Sequence, residues 1–218
     1  MHLFVCHYTK LKDRKKHMEN EIKKTGLGYS FIEKFDQEDL EDDLIEKYFR
    51  NTKNEWELRT NFLKQKNGFK NLKKSEMSLI LKHCNCYSKI ISNNLPHSVI
   101  LEDDVVIQPY FNEKLKKVIN LKKNWDIIWL GTKINHNIIM DDDTLIQKSF
   151  HPSSHYSWAY LISNNAAKKI LQYIDRNKFA LPIDWELSWL AYKLNLNVYW
   201  FKDPIVNSDV FKSSIGHN

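Results

Sequence analysis

The most informative stretch of the chain is Ser98–Ile107, which reads SVILEDDVVI. Three apolar residues, Val99–Leu101, precede the acids Glu102–Asp104, and apolar residues resume at Val105–Ile107. A short apolar run rich in β-branched residues is typical of a strand buried on both faces. Carboxylates at the end of such a strand are unfavourable unless something neutralises them. The stretch therefore predicts either a site for a divalent cation, which prefers carboxylate oxygens, or a strand-end turn with solvated acids.

The segments around this stretch alternate between strand and helix patterns. A first strand is predicted at 2–8, a Lys-rich helix from 11 to about 25, and a second strand at 29–33. This β–α–β order predicts a parallel sheet, and the alternation continues to a last strand at 196–201. We therefore expect an α/β fold whose ligands bind beyond the carboxyl ends of the strands. The 218 residues suit a single domain over 1–218.

A helix is predicted immediately before the acidic strand, from Glu76 to about Ser92, with Ser75 as its N-cap. Glu76 and His83 are seven residues apart, so they lie on nearly the same side of this helix. The spacing predicts a pair that faces the site, in which the carboxylate orients the imidazole. The alternative is a helix-capping Glu and a core His.

A second acidic triplet, Asp141–Asp143, lies within the hairpin predicted at 137–150. Acids at a turn are usually turn residues, and a hairpin tip does not enclose an ion. We therefore rank it below Glu102–Asp104 as a metal site.

Composition limits the possible partners and compartment. The net charge of +6 suits anionic partners, but the lysines are scattered and no nucleic-acid-binding motif is present, so a nucleic-acid partner is not expected. Three cysteines do not form a disulfide framework, which favours a reducing compartment. With no signal peptide or membrane-spanning run, we expect a cytoplasmic protein with at most peripheral membrane association. The Lys-, Asn- and Ile-rich composition hints at a bacterial or viral genome.

Seven motifs occur in an order that resembles glycosyltransferase family 25, the group that contains lipooligosaccharide and procollagen galactosyltransferases. They are Asp13-Arg14, Ser75-Glu76 with His83, ILEDDV at 100–105, DIIWLG at 126–131, Ser157–Ser163 with Ala166–Leu171, Leu181–Asp184, and Ser213–His217. The chain departs from the family pattern in three places. Ser75 replaces the usual Gly, Lys82 replaces a frequent Ser before the His, and the first loop, His7–Lys10, differs from the usual Asn-Leu-type start.

The resemblance implies a GT-A-type, Rossmann-like nucleotide-diphospho-sugar transferase domain with a mostly parallel central sheet. It also implies a metal-dependent inverting transferase that moves galactose or another hexose from a UDP-sugar donor to a glycan or protein hydroxyl, with Mn²⁺ or Mg²⁺ as cofactor. The acceptor could be a lipooligosaccharide, a hydroxylysine side chain, or a viral or capsular glycan.

Residue roles follow from the resemblance together with the acidic stretch. Asp104 is predicted as the main metal ligand. His217 is predicted either as a tail residue that reaches back to the metal or the diphosphate, or as part of a frayed terminus. Glu102 or Asp103 is expected to touch the ribose or an ion-bound water. The residues predicted to bind the donor are Asp13, Arg14, Glu76, His83, Glu102 and Asp103.

Asp184 is the predicted catalytic base, because it lies near the first turn of a helix that follows Pro182. The alternative is an N-terminal helix cap without chemistry. Glu186 is the rival base, although its side chain should point away from that of Asp184. Trp185 and Trp189 are predicted as platforms for sugar rings.

Two other classes of function remain open from the sequence. A metal-dependent phosphoesterase or nuclease would also use clustered acids and tolerate a basic surface. A non-catalytic nucleotide-sugar-binding protein would keep the fold without the chemistry.

Overall fold

The computed structural model describes residues 1–65, 68–121, 124–131, 145–149, 156–208 and 211. The strands are β1 His2–Cys6, β2 Gly28–Ile32, β3 His97–Glu102, β4 Val105–Ile107, β5 Ile127–Trp129, β6 Ile146–Lys148, β7 Ala159–Ser163, β8 Val198–Phe201 and β9 Val206–Ser208. The helices are α1 Lys12–Lys23, α2 Asp42–Tyr48, α3 Lys53–Phe62, α4 Lys74–Ser92, α5 Phe111–Ile119, α6 Asn164–Asn177 and α7 Ile183–Lys193, and Gln37–Asp39 form a 3-10 helix. Two predicted features, Asp141–Asp143 and His217, lie outside the described residues.

The central sheet has the strand order β2-β1-β3-β7-β5-β8-β6. Strand β1 pairs in parallel with β2 and β3, and β5 pairs in parallel with β8. Strands β7 and β6 run against their neighbours, so five of these seven strands share one direction. The α/β class and the mostly parallel sheet predicted from the sequence are therefore confirmed.

Alternate residues of the buried strands supply two cores, one on each face of the sheet. Phe4 and Ile100 point toward the core that α4, α6 and α7 cover. Leu3 and Val99 point toward the core that α1 and α5 cover. Burial on both faces explains why these strands read as continuous apolar runs rather than as alternating patterns.

The stretch from Ser98 to Ile107 divides between two sheets. Strand β3 ends at Glu102, a turn follows at Asp103 and Asp104, and Val105–Ile107 form β4, which pairs antiparallel with β9 in a separate two-stranded sheet. The turn directs the acids toward the carboxyl ends of β1 and β3 instead of continuing the strand.

The predicted start of α4 is wrong by two residues. Lys73, not Ser75, is the N-cap, and the Glu76 carboxylate accepts a hydrogen bond from the Lys73 backbone N–H at 2.7 Å. In α6, by contrast, Ser163 is the N-cap, and its hydroxyl accepts from the Ala166 N–H at 3.1 Å.

The three cysteines, Cys6, Cys84 and Cys86, are free thiols, as expected. Among the described residues, no helix combines the length and the apolar character needed to cross a bilayer.

Candidate active site

A cleft opens at the carboxyl ends of β1 and β3. His7 and Tyr8, which follow β1, line it together with Glu102–Asp104 at the end of β3, and Arg14 of α1 and Lys82 of α4 complete its walls. Because β1 and β3 are parallel neighbours, residues almost a hundred positions apart in sequence meet at one edge of the sheet. This is the edge at which ligands bind in α/β sheets.

Asp103 is the best-connected acid of the cleft. Its Oδ2 accepts from His7 Nδ1 at 2.7 Å and from the Tyr8 backbone N–H at 3.3 Å, and its Oδ1 accepts from an Arg14 N–H at 2.9 Å. Burial alone would raise the pKa of Asp103, but the hydrogen bonds from His7 and Arg14 outweigh burial and hold the pKa below its usual value. Asp103 is therefore an ionised anchor that fixes the β1 loop and Arg14.

Arg14 is shared between two acids. The nitrogen that donates to Asp103 also lies 3.1 Å from Asp104 Oδ2, and the guanidinium is buried. Burial raises the pKa of Asp104, the positive charge of Arg14 opposes that rise, and the charge of Asp103 adds to it. Arg14 thus supplies a positive charge that partly neutralises the acidic turn.

Glu102 lies at the end of β3, and its Oε1 accepts from the Ser157 hydroxyl at 2.6 Å. Its pKa is raised to about 8, mainly because burial disfavours the ionised carboxylate. The charge of Asp104 raises this pKa further, the Ser157 hydrogen bond lowers it, and the charges of Asp103 and Asp184 add smaller increases. Asp184 therefore lies within electrostatic range of the acidic turn.

The acids of the turn do not fit a metal site built from protein ligands alone, but two of them fit a site that is completed by substrate phosphates and water. Within the described ranges, no three His, Cys, Asp or Glu side chains converge to form a metal cage. Both Asp103 oxygens already accept internal hydrogen bonds, whereas Asp104 and Glu102 are only partly buried and line the cleft. Mg²⁺-type ions commonly use one or two carboxylates plus substrate phosphates and water. Asp104 and Glu102 fit that arrangement.

Asp184 and Glu186 have different environments on α7. Asp184 is the second helical residue and Pro182 is the N-cap, so Asp184 is not the helix cap. Glu186 is fully buried, pairs with Arg59, and accepts backbone N–H bonds from Ala180 at 3.1 Å and Leu181 at 2.9 Å. These contacts give Glu186 a structural role and leave Asp184 as the better candidate base.

The structure does not bring Glu76 and His83 together as a pair that faces the cleft. Glu76 caps the first turn of α4, and the fully buried His83 places Nδ1 2.6 Å from the Tyr160 hydroxyl. Tyr160 in turn lies 2.7 Å from the Tyr87 hydroxyl. The two residues differ because of their places on α4. His83 lies on the buried side that faces the sheet, whereas Glu76 lies in the first turn and accepts a hydrogen bond from a backbone N–H that the helix leaves unpaired.

His83→Ala is expected to lower the free energy of unfolding by about 2–3 kcal/mol, because it removes a buried hydrogen bond and leaves a cavity. Turnover per folded molecule should stay near normal. Urea unfolding and an active-fraction-corrected assay measure the two quantities. Unchanged stability would contradict the structural role.

The other predicted residues divide between surface and core. Asp13 is exposed on the first turn of α1. Trp189 is buried in the core and contacts Phe62, so it offers no platform to a sugar. Trp185 is partly buried, with its ring centroid 5.8 Å from that of Trp56.

Sequence reasoning missed His7 as a member of the site. Its imidazole is buried and bonded to Asp103, and its Nε2 has no hydrogen-bond partner among the described residues. The available signal was its position near the carboxyl end of the strand predicted at 2–8, because ligands bind beyond the carboxyl ends of parallel strands.

Comparison with known proteins gives the family. Residues 1–186 match the family described as glycosyltransferase family 25 (LPS biosynthesis protein). The chain belongs to glycosyltransferase family 25. Together with the sheet topology, this membership identifies the fold as the GT-A type predicted above.

Individual relatives match parts of the chain. Procollagen galactosyltransferase 1-A of Xenopus laevis is 31% identical over 119 residues, which cover 52% of this chain and 19% of that protein. A glycosyltransferase 25 family member of Aedes aegypti is 23% identical over 224 residues, covering 94% of this chain and 35% of that protein. The chain thus spans about a fifth to a third of the length of these curated relatives. The structure of a glycosyltransferase involved in the glycosylation of the major capsid of PBCV-1 has 11% identity and a TM-score of 0.49, over 97% of this chain and 93% of that one.

Proposed function

We propose that the protein is an inverting glycosyltransferase that moves a hexose, such as galactose, from a UDP-sugar to a hydroxyl of a glycan or protein. One observation carries the proposal. In a member of this family, Glu102, Asp104 and Arg14 line one cleft, and the charge of Asp184 acts on Glu102. This arrangement supplies groups for the diphosphate and, within electrostatic range of them, a carboxylate for the acceptor.

The proposed reaction assigns one task to each group. Asp184 takes the proton of the acceptor hydroxyl, the acceptor oxygen forms a bond to the anomeric carbon, and the bond from that carbon to the β-phosphate oxygen breaks, releasing UDP. Arg14 stabilises negative charge on the leaving diphosphate. Asp103 positions Arg14 through the 2.9 Å hydrogen bond.

Asp104, assisted by Glu102, would hold Mn²⁺ or Mg²⁺, which when bound neutralises charge on the diphosphate. The partly buried carboxylates of both residues support this assignment. Mg²⁺ and Mn²⁺ are hard cations, which prefer oxygen ligands, and both carboxylates and phosphates supply such oxygens.

The test is to add UDP with and without Mn²⁺ and to follow thermal unfolding, then to incubate the protein with UDP-hexoses and follow their slow hydrolysis. At a UDP concentration 100 times its Kd, binding stabilises the folded state by about 2.7 kcal/mol. A larger stabilisation with Mn²⁺ and release of hexose support the proposal. Stabilisation without any turnover or transfer would indicate a non-catalytic nucleotide-sugar-binding protein. Cleavage of simple phosphodiesters would indicate a phosphoesterase.

Asp104→Asn is expected to weaken the Mn²⁺-dependent part of UDP binding by at least the ~10–100-fold that an outer-shell change costs at a metal site, and to abolish metal-dependent turnover. Asp175→Asn, at an exposed position of α6, is the matched control and should bind as the parent does. Titration calorimetry with and without Mn²⁺ measures the difference. Equal Mn²⁺ enhancement in parent and Asp104→Asn proteins would contradict the assignment.

A further inference from the structure

Lys82 is a buried cation in the wall of the cleft. Its side chain extends from α4 and is 2% exposed, and its ammonium donates to the Lys34 carbonyl oxygen at 3.1 Å and to Asp36 Oδ1 at 2.6 Å. A lysine ammonium has three N–H donors. The described residues accept two of them, so one donor is available to a group bound in the cleft that Lys82 lines.

The strand order places Lys82 at the end of the cleft away from the acids. Lys34 and Asp36, its two partners, follow β2, whereas Glu102–Asp104 end β3, and β1 lies between β2 and β3. Neighbouring strands are ~4.8 Å apart, so the two ends of the cleft are separated by about 10 Å. A nucleoside diphosphate whose phosphates lie at the acids would therefore extend its base toward β2.

Tyr8 provides an aromatic ring beside this end of the cleft. Its hydroxyl donates to Glu38 Oε1 at 2.5 Å and accepts from Gln37 Nε2 at 3.3 Å, so two residues of the 3-10 helix hold the ring. Tyr8 and Gln37 both line the cleft. Stacking of a base on an aromatic side chain contributes ~1–3 kcal/mol and does not depend on which base is stacked. The ring therefore supplies affinity, and discrimination between bases has to come from a polar group.

We propose that Lys82 selects the base of the donor nucleotide by donating its third N–H to the O4 carbonyl of uracil. The inference rests on the proposed nucleotide-sugar donor. Cytosine carries an amino group at the same position, and an amino group cannot accept this hydrogen bond. A site built to hydrogen-bond one group rejects an analogue that leaves its buried donor unpaired. Lys82 is thus a specificity-determining residue, at one of the positions where this chain departs from the family pattern.

The experiment measures the affinities of UDP and CDP, in the presence of Mn²⁺, for the parent protein, Lys82→Met and Asp36→Asn. The parent should bind UDP at least about tenfold more tightly than CDP, and Lys82→Met should lose about tenfold or more in UDP affinity, the usual effect of one hydrogen bond to a charged group. CDP affinity should change little, so the preference disappears. Asp36→Asn removes the ion-pair partner but keeps the ammonium, and should retain the UDP preference although its stability falls.

The outcomes are distinguishable. Equal affinities of the parent protein for UDP and CDP would overturn the proposed role of Lys82 but would not contradict the proposed transferase activity. This measurement uses the parent protein alone, so it does not depend on the folding of a variant. A Lys82→Met protein that keeps the UDP preference would overturn the proposed role equally. A parent that binds neither nucleotide would refute the proposed donor and the inference together.

Discussion

Asp184→Asn should reduce turnover by about 10²–10⁴-fold, the usual effect of losing a general base, while the affinity for UDP stays nearly unchanged. Asn keeps the shape of the side chain but cannot accept the acceptor's proton. The position supports this expectation, because Asp184 is in the first turn of α7 and is not the N-cap. A loss of helix capping would therefore not explain a fall in rate.

The measurement is the initial rate of hexose transfer at saturating donor and acceptor, with UDP affinity taken from titration of the same preparation. Asp175→Asn, at an exposed position of α6, is the matched control, because it makes the same chemical change elsewhere on the chain. Turnover of Asp184→Asn within a factor of a few of the parent would place the base elsewhere.

Glu186→Ala should lower the free energy of unfolding by about 3–5 kcal/mol, because it removes the fully buried carboxylate that pairs with Arg59, whose other ion pair, with Glu55, is partly exposed. Arg59 is 2% exposed and Glu186 is fully buried. Burial raises the pKa of Glu186, while Arg59 and the backbone N–H groups of Ala180 and Leu181 oppose that rise. The same change also removes the acceptor of those two backbone groups.

Urea unfolding of three proteins tests this expectation: Glu186→Ala, Arg59→Met, and the double variant Arg59→Met with Glu186→Leu. Replacing both members of a buried ion pair by apolar residues costs much less than removing one member. The double variant should therefore be more stable than Glu186→Ala. Full stability of Glu186→Ala would show that the pair is dispensable.

The position of the site could be predicted from sequence, because a local signal marks it. Val99–Leu101 followed by Glu102–Asp104 indicates both a buried strand and its carboxyl end, and the structure has acids at that end beside the cleft. The helix after Pro182 was predictable for the same reason, since the fixed φ of proline and the apolar residues that follow are local features.

The partners of these acids could not be predicted, because they depend on distant pairings. Asp103 bonds to His7 and Arg14, 96 and 89 residues away, and nothing in the local sequence of either partner indicates an acid. For Glu76 and His83 the error is of the opposite kind, because the sequence predicts a pair that the structure does not form. Their helical spacing is correct, but the rotation of α4 against the sheet, set by tertiary packing, determines that His83 is buried and that Glu76 caps the helix.

The place of β7 in the sheet has a consequence for how the chain folds during synthesis. Strand β7 lies between β3 and β5, so the β3 edge of the partial sheet β2-β1-β3 has no partner strand until Ala159–Ser163 has been translated. At roughly 5–20 residues per second, this interval lasts several seconds. A bare edge of apolar strand is a template for wrong pairing between chains. We therefore expect nascent chains stalled before β7 to be prone to aggregation and to need chaperone protection.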